Sequence, residues 1–103
     1  MRIRVAIAVA ALTLTGALTA FGQQDPDLGR NLAATCANCH GTNGISKEGA
    51  PSLAGETKES IVHKFREFRD GKRLATIMHQ LAKGFTDGQV ELIADFFSKQ
   101  KRS

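Results

Sequence analysis

Cys36-Ala37-Asn38-Cys39-His40 puts two thiols and an imidazole within five residues. The pattern is C-x-x-C-H, the spacing of covalent haem attachment. Two thiols three positions apart, on about one helical turn, can each add to a vinyl group of one porphyrin. His40 follows at once and can turn its imidazole to the iron, a common axial role for histidine. Cys36 and Cys39 are the only cysteines, so none remains for a disulfide elsewhere. Three other chemistries use C-x-x-C. A thioredoxin-like redox site needs a βαβ setting, and no strand pattern is present. Half a zinc site needs a second Cys/His pair at metal spacing, and none follows. A simple disulfide would strain the three-residue turn and has no use for His40. Haem attachment uses all three side chains.

A haem iron also needs a sixth partner or an open position. Met78 is the only methionine besides Met1. Read from the residues alone, it is equally a core methionine, sharing a helical face with Leu81 and Ala82. His79, its neighbour, is a second candidate ligand.

The N-terminus has another character. Arg2 and Arg4 precede an apolar run from Val5 to Ala20, and Gln23-Gln24-Asp25 turns polar. This is the layout of a secretory signal peptide. The run is short for a bilayer span, which takes about 20 residues. The expected division is a signal peptide over 1–22 and one domain over 23–103, with a periplasmic address and no membrane association once the signal is cut. Without Arg2 and Arg4, twelve cations face ten anions, a formal charge of +2. Two haem propionates would bring that near zero, so the basic balance is no sign of nucleic-acid binding. A chain of about 81 residues without Trp or Tyr is marginal for a core of its own. The haem is therefore expected to be part of the core.

The rest of the chain reads as helices. Asp25-Pro26 opens the first, as N-cap and first helical residue, and it runs to His40 with Gly41 as its stop. Five glycines and prolines make 41–55 a loop, with Lys47 and Glu48 solvated. Thr57 caps a helix over 58–70 whose apolar face is Ile61, Val62, Phe65 and Phe68. His63 falls on the opposite face and is a poor ligand candidate. Thr76 caps a short helix over 77–82. Thr86-Asp87-Gly88-Gln89 is a capping box for a last helix ending near Lys99, with Val90, Ile93, Phe96 and Phe97 inward.

Three stretches carry a resemblance to the class I cytochromes c: Cys36–Gly44, Gly49-Ala-Pro-Ser-Leu-Ala-Gly55 and Ala75-Thr-Ile-Met-His-Gln-Leu-Ala-Lys-Gly-Phe-Thr86. It covers residues 25–100. The Thr-Ile-Met-x-x-x-Ala-Lys-Gly-Phe segment is similar to the haem subunit of flavocytochrome c sulfide dehydrogenase, in its one-haem form or as a single domain of its two-haem form. The resemblance implies an all-α class I fold, about four helices around one covalently bound haem c. It implies Cys36 and Cys39 as attachment points, His40 and Met78 as axial ligands, the Pro51 carbonyl as hydrogen-bond partner of His40, and Leu53 on the haem face. It pairs Gly29 with Phe96. The implied role is one-electron transfer without catalysis: a flavoprotein subunit that oxidises sulfide as donor, other cytochromes as acceptors. A free periplasmic shuttle, or a haem enzyme with a labile sixth ligand, shares the same motif.

Overall fold

In the computed structural model, residues 25–47 and 49–102 are described. The signal peptide over 1–22 and the solvation of Glu48 lie outside them. No strand occurs among the described residues. The elements are α1 (Leu28–Ala33), a 3-10 turn (Ala34–Cys36), α2 (Ala37–His40), a 3-10 turn (Thr42–Gly44), α3 (Lys58–Arg69), α4 (Met78–Leu81), a 3-10 turn (Ala82–Gly84) and α5 (Asp87–Ser98). The run from α1 to α2 is one helical path, so four helical units surround the core.

α5 is the hub. Its Val90, Ile93, Ala94 and Phe97 are buried and pack with Ile61, Val62 and Phe65 of α3 and Ala33 of α1. Its start is the expected capping box: Thr86 Oγ1 accepts from Gln89 N at 3.2 Å, and Gln89 Oε1 accepts from Thr86 N at 2.9 Å. α3 begins on Thr57, whose hydroxyl accepts from Ser60 N. It ends in a Schellman turn, with Lys72 N donating to Glu67 O and Gly71 N to Phe68 O. His63 faces solvent and pairs with Glu67 at 2.7 Å.

Three expectations need correction. α1 begins at Leu28 rather than at Pro26. Asp25 does accept from Asp27 N through Oδ1, at 2.9 Å, but its carbonyl takes Leu28 N in a tighter i→i+3 turn before the α register starts. Thr76 does not cap α4. Ile77 holds the N-cap position with no side-chain cap bond, and Thr76 stands at the cavity described below. Gly29 has Leu92 rather than Phe96 as its nearest neighbour: a Cβ built on Gly29 would sit 2.9 Å from the Leu92 carbonyl oxygen. One helical turn along α5 separates the two residues, and only the packed register of α1 on α5 chooses between them.

Gly29→Ala is a test of that contact. Alanine gains about 1 kcal/mol of helix propensity over glycine. Overpacking against a backbone atom costs about 1–3 kcal/mol. The expected net is a loss of about 1 kcal/mol in denaturant unfolding of the haem-loaded protein; a gain would show that α1 can back away from Leu92.

Glu56 ties the loop to α3. Ser60 Oγ donates to its Oε1 at 2.8 Å, and the Lys64 ammonium contacts the same oxygen. Burial pushes the Glu56 pKa up, but Lys64 and Ser60 outweigh it and the net direction is down from 4.5. A carboxyl held low when folded contributes stability above its unfolded value and loses it as pH falls through the folded value. Thermal stability should therefore drop as pH is lowered below about 4.5, and Glu56→Gln should flatten part of that slope in melts taken across the acid range.

Candidate haem site

The C-x-x-C-H residues straddle a change of helical pitch. Cys36 ends the 3-10 turn, and Cys39 and His40 lie on α2. Both thiols are free. Cys36 is half-buried, and burial pushes its pKa up, with the Thr35 hydroxyl opposing. A redox-active thiol needs the opposite shift, toward thiolate. Among the described residues there is also no strand to build a thioredoxin setting, so neither observation supports the dithiol reading. The zinc reading goes as well: among the described residues no group of three or more His, Cys, Asp or Glu could hold a metal ion.

Gly41 turns the chain away directly after His40. Its φ of 86° is left-handed, and a Cβ there would lie 1.8 Å from the Ile45 carbonyl oxygen, so only glycine fits. The loop that follows closes on itself. Leu53 N and Ala54 N both donate to Gly44 O, Ser46 N to Ser52 Oγ, and Gly55 N to Phe97 O of α5. This closure delivers the Pro51 carbonyl to His40, with Nδ1 at 2.6 Å. A carbonyl only accepts, so Nδ1 carries the proton and Nε2 keeps its lone pair. The contact also fixes the plane of the ring and raises its basicity as a ligand.

These residues border a cavity of about 790 Å³, toward the upper end of the ~300–1,000 Å³ usual for cofactor and small-molecule sites. Cys36, Cys39, His40 and Pro51 are on one side. Thr76, Ile77, Met78 and Leu81 come from the α4 segment, with Phe65 of α3 and Phe85 behind them. The Phe65 and Phe85 rings meet edge to face at 6.3 Å. His79 is not on the wall, and its Nδ1 is buried without a partner. Leu53 is not on the wall either: it is half-buried against the core cluster.

Wall residues that the sequence reading did not assign to the site include Ile77, Leu81, Phe65 and Phe85. Phe65 reads as core from its helical spacing, because periodicity reports a buried face and not what covers it. Ile77 and Leu81 keep 53% and 44% exposure, the mark of aliphatic side chains whose neighbour is not another residue of the chain.

The residues fit a haem. The lining is mainly apolar, as a macrocycle requires. The polar exceptions include two thiols, an imidazole with one nitrogen free, and a thioether, the donor set of cytochromes c.

The comparisons agree. The cytochrome c family model matches residues 26–101. The cytochrome subunit of sulfide dehydrogenase from Chlorobaculum tepidum is 41% identical over 69 residues, 67% of this chain and 63% of that protein. Cytochrome c4 of Pseudomonas aeruginosa is 36% identical over 93 residues, 89% of this chain and 45% of that one. The solved cytochrome c4 of Acidithiobacillus ferrooxidans superposes with a TM-score of 0.62 at 27% identity, covering 70% of this chain and 49% of its own. The chain thus spans under two thirds of the length of each. Motif, cavity and relatives converge: the chain belongs to the cytochrome c family, as an all-α electron carrier with one covalently bound haem c.

Proposed function

We propose that Cys36 and Cys39 attach the haem, that His40 Nε2 and the Met78 thioether are its axial ligands, and that the loaded chain is the periplasmic electron-transfer subunit of a sulfide-oxidising flavoprotein. The observation that carries the ligand assignment is the shared cavity. His40, with Nδ1 tied to Pro51 O, and Met78 both border it, whereas His79 does not.

Bound haem supplies reversible one-electron exchange at its iron. The chain's residues make that exchange clean. The Pro51 carbonyl holds the His40 ring in one tautomer and one plane. Met78 would hold the group from the α4 wall and, with His40, would leave no position for a substrate. Ile77, Leu81, Phe65 and Phe85 would pack on it and limit contact with water, so little solvent would have to reorganise when charge changes. Leu53 acts from the core side, backing the loop that carries Pro51. Cys39 is exposed and marks where the site reaches the surface, the route for an electron to a partner.

The flavoprotein reading draws support from the relative named as a cytochrome subunit of sulfide dehydrogenase and from the Thr76–Phe85 segment. Among the described residues no helix is long and apolar enough to cross a membrane, which suits an exported partner of this kind. Co-expression of the haem-loaded chain with the flavin subunit of a sulfide dehydrogenase is the test. A stable complex whose haem is reduced on adding sulfide is expected. A chain that stays apart from the flavin subunit, yet is reduced by other exported redox proteins, would make it a free shuttle.

A further inference from the structure

The Pro51 carbonyl reaches His40 from a loop that is firmly held on one side only. Downstream, Leu53 N and Ala54 N donate to Gly44 O, and Gly55 N to Phe97 O. Upstream, residues 46–47 and 49–52 make no backbone–backbone hydrogen bond among the described residues. Gly49 is left-handed with a φ of 82°, and nothing lies within 4 Å of a Cβ placed on it. Pro51 is exposed, so water competes for its carbonyl.

A pair of serines closes the open side. Ser46 N donates to Ser52 Oγ at 2.9 Å across the loop, and Ser46 Oγ donates to the Cys39 carbonyl oxygen at 3.5 Å. That carbonyl is at the end of α2, where a helix leaves acceptors unpaired. Ser52 directly follows Pro51, and Cys39 directly precedes His40. The contacts therefore close a ring through Cys39, Ser46, Ser52, Pro51 and His40. Apart from the bond between His40 and Pro51, these two are the only hydrogen bonds that residues 46–47 and 49–52 make among the described residues. Without the Ser52 hydroxyl, the segment carrying Pro51 loses its one tie across the loop.

We infer that Ser52 is a positioning residue for the haem ligand: its hydroxyl, held by Ser46, aims the Pro51 carbonyl at His40 Nδ1. This rests on His40 as an axial ligand and adds what tunes it. An imidazole whose Nδ1–H is bonded is the more basic ligand and favours ferric iron. Loosening the clamp therefore moves the midpoint potential upward.

The test uses the reduced, nitrogen-15-labelled holoprotein together with its redox titration. The His40 ring protons are read first. If the haem ring current does not shift them far upfield, His40 is not a ligand, and the ligand assignment falls together with the inference. In the unaltered protein the Ser46 amide should exchange slowly with solvent, a reading that needs no variant to fold. Ser52→Ala should speed exchange of the His40 Nδ1–H about fivefold, the worth of one ordinary hydrogen bond, and raise the potential. Ser52→Thr keeps the hydroxyl and should restore both. Thr57→Ala removes the cap of α3; it should lower the melting temperature and leave Nδ1–H exchange and potential in place, which separates positioning from stability. With His40 ligated, a freely exchanging Ser46 amide, Ser52→Ala without effect on exchange and potential, or Thr57→Ala reproducing its effects would each overturn the inference alone.

Discussion

Replacing both Cys36 and Cys39 with serine is expected to yield a chain that does not fold cooperatively. The magnitudes decide this. A cavity in a packed core costs about 24 cal/mol per Å³. Applied to about 790 Å³, that is about 19 kcal/mol, whereas a domain has about 5–15 kcal/mol to lose. The site opens to solvent and will partly collapse or fill with water, so the full figure is a ceiling. A quarter of it, about 5 kcal/mol, still equals the low end of that range, where a domain this small belongs. The remaining core cannot compensate. Among the described residues, four of the ten buried hydrophobic ones are alanines, and Phe65, Met78 and Phe85 lose the surface they pack on. Far-ultraviolet circular dichroism on heating should show a shallow drift in place of a transition. A sharp melt close to that of the haem-loaded protein would show that the helices close a core by themselves.

Met78→Leu should keep the haem and lose the second axial ligand. Leucine matches methionine in volume, which costs under about 1.5 kcal/mol in packing, so the protein should still load and fold. The spectrum should lose its thioether-to-iron band, and carbon monoxide should bind rapidly at neutral pH. The midpoint potential should fall by on the order of 0.2 V, part of the ~0.8 V range that axial ligation governs. His79→Ala is the control and should leave spectrum and potential in place, because His79 stands off the cavity wall. If His79→Ala produced the spectral change and Met78→Leu did not, the axial assignment would pass to the histidine.

How much of this was legible in the chain follows from how local each feature is. The attachment motif occupies five consecutive residues, and their spacing alone implies the cofactor. Helix caps are equally local. Thr57 and Thr86 each reach an amide three residues on, and both caps stand where their residues imply. The methionine was legible by elimination together with resemblance, but its rival next door was not dismissible from sequence. Adjacent helical residues point about 100° apart, and only the packed orientation of α4 says which of them meets the cavity.

Contacts between distant segments needed the fold. Whether Gly29 rests on Leu92 or Phe96 depends on how far α1 slides along α5, a distance no local pattern encodes. Leu53 reads as a haem-facing residue, yet the closure of the loop on Gly44 and Phe97 turns it to the core. The sequence by itself determined the cofactor, its attachment and the helical class, since these rest on residues within a turn of one another. The tertiary structure decided which side chains form the cavity wall and which are left outside, because those outcomes depend on helix register and loop closure across tens of residues.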